Sequence, residues 1–558
     1  MKTSAPRSLP ARAAASAAIG NARAEPVEPA GSACDVLVVG GGINGVGIAR
    51  DLAGRGARVV LCEQDDLAQH TSSSSTKLIH GGLRYLEYYE FALVRKALAE
   101  REVLLRSAPH IMWPLRFVMP HDASMRPVWM VRAGLFLYDH LARRELLPGS
   151  RTISLRKSEY GAPLQPRFKM AFVYSDGWVD DARLVVLNAI DARERGADVL
   201  TRWRCARARR EGAGWNVRLE AANGGATREG ATREMTARAL VNAAGPWASQ
   251  FLSKHAGQAD AKTLRLVKGS HIVVPRLFEH DHAYILQSPD RRIIFMIPYE
   301  GEFTLIGTTD VDHVGALGAA TVDAAEIVYL CEQVNRYLAK PVAPADVVWS
   351  YAGVRPLLED ESRDASAVTR DYQLELDRGG DGAGAPLLTV WGGKLTTFRK
   401  LAEEAGDLLR EPLDARAAWT ADAVLPGGDV ANDGGGKGAS ANCSTDVVGD
   451  FARFEATLAQ RYPHWPAGLR HRCARSYGTR IGRWAGADGR ALGAEVAPGL
   501  FEAELNYLRD EEWACNADDV LWRRSKLGLH LDAAQRAKVA AWCERHWSPA
   551  TQRSAACS

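Results

Sequence analysis

Cysteine is sparse and never paired in this sequence: nine residues in 558, at positions 34, 62, 205, 331, 443, 473, 515, 543 and 557, with no CxxC among them. That spacing excludes a zinc ribbon and a disulfide framework, and an odd, dispersed set fits a reducing compartment. Long apolar runs are missing too. None reaches the roughly 18 to 20 residues that cross a bilayer; the nearest, around 133–142, is broken by Asp139 and His140, so any membrane attachment is expected to be peripheral. Neither sign of charge prevails. Seventy Lys and Arg against 67 Asp and Glu leave +3, which does not argue for nucleic acid, although a partly basic surface suits an anionic membrane. Acids are lacking before Glu25, in a stretch rich in Ala, Arg, Ser and Pro. A transit peptide has such a composition, but Pro6 and Pro10 interrupt any early helix, and residues 1–32 are expected to be an unstructured tail. No DxDxDG loop for calcium is found; DVANDGGG at 429–436 has the wrong spacing. His280-Asp281-His282 lacks further ligands at metal spacing and is expected in a solvated loop; no metal site is expected.

What is present fits a globular chain of two to four domains, with 46% hydrophobic and 25% charged residues. From Asp35 the text reads DVLVVGGGINGVGIARDLAGRGARVVLCEQ. An apolar strand runs into Gly40, Gly42 and Gly45 in GxGxxG spacing, then a helix to about Arg55, then a second strand closed by Glu63. Gly40 permits the tight turn, Gly42 lets backbone approach a pyrophosphate, and Gly45 lets helix and strand pack closely. The helix N-terminus offers unpaired N–H groups to the phosphates, and Glu63 can accept from both hydroxyls of an adenosine ribose. Glu63 argues against a 2′-phosphate, but leaves NAD and FAD open.

The next segment, TSSSSTKLIHGGLRYLE from Thr71 to Glu87, starts like a linker. It leads directly into an amphipathic helix with Phe91, Val94, Leu98 and Leu105 on one face, which favours an ordered loop offering hydroxyls and N–H groups to a cofactor. Farther on, ALVNAAGPWA is a strand with a small-residue turn, and SHIVVP, AYILQS, RIIFMIPY and EFTLIGTTD are successive strands of an antiparallel sheet. Arg355 follows a strand and a glycine, where a planar guanidinium suits bidentate phosphate recognition. LLTVWGGKLTTFRK takes a strand through Gly392-Gly393-Lys394 into a helix, so that Lys394 and the helix start can stabilise negative charge on a bound group.

In order along the chain, GGGINGVGIARDLAGRG, TSSSSTKLIHGGLRYLE, YSDGWVDDARL, NAAGPW, KGSHIVVP, IGTTD, GVRPL and GGKLTTFRK resemble the FAD-dependent glycerol-3-phosphate dehydrogenases, most closely the bacterial respiratory branch. The similarity is dense from about 34 to 403 and thinner beyond. It implies an α/β fold: an FAD-binding Rossmann-like domain of the glutathione-reductase/amino-acid-oxidase type, an inserted antiparallel-sheet substrate domain, and a C-terminal helical domain. The expected division is FAD-binding segments at about 33–110, 170–250 and 345–405, substrate segments at about 111–169 and 251–344, a linker at 406–444 and the helical domain at 445–550.

The resemblance also implies oxidation of sn-glycerol 3-phosphate to dihydroxyacetone phosphate, with FAD as cofactor, a membrane quinone as acceptor and a peripheral position on the cytoplasmic face of the bacterial inner membrane; a homodimer stays an open expectation. The FAD contacts are expected from Gly40, Gly42, Asn44, Gly45, Glu63, Ser72, Ser73, Lys77, Leu78, Ala244, Gly245, Gly393, Lys394, Leu395 and Thr396. Arg84 and Arg355 are expected at the phosphate or developing alkoxide, with Tyr85 assisting, His271 as base and Lys394 supporting both flavin and substrate. The alternatives are a glycerol-3-phosphate oxidase using O2, a related flavin oxidase of amines or 2-hydroxy acids, and a non-catalytic nucleotide sensor. In the C-terminal region Arg523, Arg524 and Lys526 beside Trp522 read as a solvated basic face, or else a lipid contact.

Overall fold

A computed structural model describes residues 33–547 except 124, 223–229, 259–261, 291, 319, 359–370, 380–381, 383 and 432–445; the tail at 1–32 and most of the expected linker's second half lie outside them. Two large sheets organise the chain. The first has the order 373–377, 387–391, 232–242, 33–39, 59–63, 198–201. Its central strands pair in parallel, with Val38 opposite both Leu61 and Val241, and 232–242 continues in parallel to 387–391. The central strand Ala33–Val39 is almost wholly buried, as a parallel sheet covered on both faces requires. The helices Ile43–Gly54, Asp181–Glu194 and Phe398–Leu408 cover one face, and Val36, Val38, Ile48, Leu52, Val185 and Leu401 share one core there.

The second sheet runs 311–312, 264–275, 303–307, 293–299, 283–287, 112–121, 170–179, 78–79, with 349–358 also paired to 264–275. The four strands expected to follow one another do form an antiparallel set. The helix Ala324–Asn335 covers one face through Leu330 and Val334. The helix Phe91–Ser107 covers the other through Val94 and Leu98, while Phe91 stays exposed at its start. The expected domain limits are corrected on two strands. Met170–Val179 and Trp349–Leu358 belong to this sheet, not to the FAD-binding one, because a strand's sheet is set by distant partners that its own residues do not name.

The C-terminal helices Val447–Arg461, Ala467–Tyr477, Glu502–Glu512 and Ala533–Trp547 enclose their own core around Phe454, Tyr477, Leu505, Leu508 and Trp542. The expected linker is also corrected. Its first half is built into the FAD-binding core: Leu409, Leu413 and Leu425 are buried there, and the Trp419 indole donates to the Asp51 carbonyl at 3.0 Å.

Candidate active site

At the C-terminal end of the central strand the chain turns at Gly40, φ +114°, a conformation that L side chains rarely adopt. A Cβ at Gly45 would sit on the Gly40 carbonyl oxygen, so turn and helix touch there through backbone alone. The turn opens onto a cleft. Among the expected cofactor residues, Gly40, Gly42, Asn44, Glu63, Ser72, Ala244, Gly245 and Gly393 line it. Trp203, Arg204, Trp247, Gln250 and His255 line it too; Trp247 ends the NAAGPW motif without having been singled out, and the others lie in stretches with no motif of their own. His70 and Trp247 meet at its wall, ring centroids 4.7 Å apart.

Glu63 is buried, and burial raises its proton affinity; its carboxylate accepts from the N–H groups of Gly41 at 2.6 Å and Asp65 at 2.8 Å. Asn44 donates to the Gly392 carbonyl at 3.1 Å, and its buried Oδ1 has no hydrogen-bond partner among the described residues.

The loop from Thr71 to Tyr85 connects this cleft to the second sheet. Ser72 Oγ accepts from the Ile43 N–H at the helix start, 3.0 Å. Thr71 Oγ1 donates to the Val354 carbonyl at 2.7 Å. Thr76 Oγ1 lies 2.9 Å from His271 Nε2, and the Tyr351 hydroxyl donates to the Ser75 carbonyl at 2.8 Å. The His80 N–H donates to Thr396 Oγ1 at 3.1 Å, and Lys394 Nζ stands 3.7 Å from the centre of the Tyr85 ring. A serine spacer would leave such groups to solvent; this loop is bonded along its length.

Of the expected catalytic residues, Lys394 and Tyr85 are thus in contact, whereas Arg84 reaches Tyr88, its Nη2 donating to that hydroxyl at 3.1 Å. Arg355 lies within the strand 349–358, one-quarter exposed, ion-paired with Asp310 and donating to Thr308 Oγ1 at 3.1 Å. His271 is fully buried, stacked on Tyr351 with centroids 4.8 Å apart and planes 12° from parallel. Burial first, then the nearby Arg355 and Lys77 charges, hold its pKa well below the usual histidine value.

The side chains of the other expected cofactor residues are engaged within the protein. The buried Lys77 ammonium pairs with Asp181 at 2.6 Å and donates to the Ser73 carbonyl at 3.2 Å, since a buried cation needs a counter-charge. Leu78 is core, and Ser73 Oγ donates to the His70 carbonyl. Leu395 packs against the main core, and the buried Thr396 is engaged by His80. Two expectations need correction. His280 is not solvated but buried, with Nε2 2.9 Å from the Tyr284 hydroxyl. The basic triplet after Trp522 does not face solvent or lipid. Arg524 is fully buried and bidentate on Asp66, both bonds 2.7 Å; Arg523 reaches Asp66 at 2.6 Å; and Lys526 is buried near Asp180.

A family profile described as "FAD dependent oxidoreductase" matches residues 35–399. A glycerol-3-phosphate dehydrogenase of Pseudomonas aeruginosa is 52% identical over 518 residues, covering 92% of this chain and 96% of the relative. The chain belongs to the FAD-dependent oxidoreductases, in their glycerol-3-phosphate dehydrogenase branch. A D-erythritol 1-phosphate dehydrogenase of Brucella abortus is 49% identical, covering 91% of this chain and 97% of the relative. The fold matches the FAD complex of a glycerol-3-phosphate dehydrogenase from Bacillus halodurans, with a TM-score of 0.71 at 24% identity over 93% of this chain and 91% of that one. FAD is the cofactor of this oxidoreductase, and the cleft fits it. The glycine turn admits a pyrophosphate, Glu63 stands at the end of the second strand as a ribose acceptor, and the unpartnered Asn44 Oδ1 lies among the lining residues.

Proposed function

We propose that this oxidoreductase converts sn-glycerol 3-phosphate to dihydroxyacetone phosphate and delivers the electrons to a membrane quinone. The observation that carries the reading is the bonding of the Thr71–Tyr85 loop. It brings the edge of the cofactor cleft, the His271 ring and the Lys394–Tyr85 pair to one short stretch of chain. Bound FAD supplies a two-electron oxidant for the carbon bearing the substrate's secondary hydroxyl. The phosphate is the task of Arg355, with Arg84 and Lys394 adding positive charge; holding the remote phosphate orients C2 and lowers the barrier through positioning. His271 takes the hydroxyl proton, directly or through a neighbour. Gly40, Gly42, Asn44, Glu63, Ser72, Ala244, Gly245 and Gly393 hold the cofactor.

The quinone and the membrane form the outer part of the proposal. On the helix Val128–His140, Trp129 is 68% and Phe136 62% exposed, beside Tyr89 at 80%, with Arg126, Arg132, Arg143 and Arg144 close by in sequence. An apolar helix face flanked by arginines suits shallow insertion into an anionic bilayer, which supports a peripheral position on the cytoplasmic face. No helix among the described residues is long and apolar enough to cross a membrane.

A second reading has specific support. The Brucella relative is nearly as similar as the Pseudomonas one, and its name specifies D-erythritol 1-phosphate, a longer polyol phosphate. Anaerobic addition of glycerol 3-phosphate to the purified yellow protein is expected to bleach its flavin absorption. Bleaching by D-erythritol 1-phosphate alone would replace the substrate, and bleaching only by glycine derivatives or 2-hydroxyglutarate would replace the reaction class. Parallel peroxide and quinone-analogue assays decide the acceptor.

A further inference from the structure

We propose that Thr76 is a catalytic residue: its hydroxyl relays the proton between the substrate's C2 hydroxyl and the enclosed ring of His271. The inference rests on the polyol-phosphate reading above and on His271 as the final proton acceptor.

The geometry restricts how a proton reaches this histidine. The ring is fully buried. One face is covered by the Tyr351 ring, and its Cδ2 edge presses on Gly307, where a Cβ could not be placed. Nδ1 is buried without a hydrogen-bond partner among the described residues. Nε2 has one, the Thr76 hydroxyl at 2.9 Å. Thr76 itself is only partly buried, whereas the ring it meets is fully enclosed. A threonine hydroxyl both donates and accepts, the property a relay needs.

The loop around Thr76 is fixed for that purpose. The Ser75 hydroxyl donates to Asp181 at 2.7 Å, Lys77 pairs with the same carboxylate, and Tyr351 bonds the Ser75 carbonyl. The charges facing the ring are Arg355 and Lys77, each paired with an acid, Asp310 and Asp181. Burial first, and then these charges, disfavour the protonated ring. A phosphate dianion on Arg355 reduces that positive field, so the ring becomes a better acceptor once substrate is bound.

In the step, the O–H bond of the C2 hydroxyl breaks and its proton passes to Thr76 Oγ1, while the proton of Thr76 passes to His271 Nε2. The C2 hydrogen departs with its electron pair to the oxidant that FAD supplies, C2 becomes a carbonyl, and the cofactor is reduced by two electrons.

Thr76→Val, which keeps shape and removes the hydroxyl, is expected to lower kcat of the FAD-loaded enzyme by at least about 100-fold, the usual worth of a positioned proton-transfer group, with little change in KM. Thr76→Ser restores most of the rate. Combining Thr76→Val with His271→Asn slows the enzyme no further than the slower single change, because members of one relay fail together. Independently of turnover, nuclear magnetic resonance of isotope-labelled histidine should give resting His271 as the Nδ1-protonated tautomer, its signals recognised by their loss in His271→Asn. Wild-type kcat in Thr76→Val, Thr76→Ser as slow as Thr76→Val, wild-type kcat in His271→Asn, or an Nε2-protonated ring overturns the relay. If glycerol 3-phosphate does not reduce the wild-type flavin, the substrate reading fails instead, and the tautomer still decides whether Thr76 donates to His271.

Discussion

Trp522 of the C-terminal domain lies face to face with Trp349 of the substrate sheet, ring centroids 4.8 Å apart and planes 17° from parallel. Trp349 contacts Tyr351 at 5.0 Å, and Tyr351 in turn covers His271. An aromatic column thus runs from the helical domain to the candidate base. Stacked rings add about 0.5–1.5 kcal/mol beyond the area they bury. Trp522→Ala is expected to destabilise the protein by about 2–4 kcal/mol, with Trp522→Phe losing less than half as much. Denaturant midpoints of the two variants check this, and equal losses would mean that stacking is irrelevant.

The same segment holds the far end of the cleft. Asp66 is fully buried in the loop that follows Glu63 and lines the cofactor site. Burial alone would raise its pKa, but the Arg524, Arg523 and Arg202 guanidiniums reverse that and hold it at about 2. Its folded value is therefore below its unfolded one, near 3.9. The stabilisation is complete above that value and lost as pH falls from about 4 to 2. Arg524→Met leaves a buried carboxylate short of a partner and is expected to cost about 3–5 kcal/mol. It should also weaken FAD binding by apoprotein about tenfold, since the loop beside Glu63 loosens. Arg524→Lys should recover only part, lacking the bidentate fork. Fluorescence titration of FAD into the apoproteins measures it; an unchanged Kd would separate this clamp from the cofactor.

Arg355 is braced by Asp310 and Thr308 on a strand rather than on a loop. Arg355→Lys keeps the charge but loses the planar fork, so KM for the phosphorylated substrate should rise at least about tenfold, as loss of a charged hydrogen bond of about 1.5–3 kcal/mol implies. Steady-state kinetics with a quinone analogue test this, and an unchanged KM would remove Arg355 from the phosphate site.

Gly45→Ala places a methyl on the Gly40 carbonyl oxygen and should abolish flavin retention on purification. Gly134→Ala, also in a helix but facing open space, should leave the flavin content at wild-type level. The ratio of flavin to protein absorbance compares them.

These contrasts also mark what the residues reveal by themselves. Gly40, Gly42, Gly45 and Glu63 are legible because strand, turn, helix and acid act within about 30 consecutive residues. The antiparallel strands after Lys268 are legible for the same reason, since each meets a near neighbour. Arg524 is not: a basic residue beside Trp522 has the local character of a solvent face, and Asp66, which buries it, lies 458 residues away. The pairing of the Lys77 ammonium is hidden similarly, because its position in a Ser/Thr-rich loop says nothing of Asp181. His271 is recognisable as a polar residue beside an apolar run, but its place inside the strand 264–275 and its enclosure by Tyr351 and Gly307 depend on three separate strands.

His110 supplies a pH-dependent test of the interface between the FAD-binding and C-terminal domains. It is fully buried, and neither ring nitrogen has a hydrogen-bond partner among the described residues. Burial, then the charges of Arg183, Arg475 and Arg480, push its pKa well below the usual value. Below about pH 6.5 the unfolded chain binds a proton here that the folded protein refuses, so the contribution of this group to stability falls as pH falls. The slope approaches about 1.4 kcal/mol per pH unit. The similarly depressed His271 adds a slope of the same sign. His110→Phe preserves a flat ring and removes the His110 contribution. Its unfolding midpoint should therefore decline less steeply than that of the wild type between pH 7 and 5. Parallel curves would mean that His110 is protonated in the folded protein, with Arg183, Arg475 and Arg480 screened by something other than the buried groups around it.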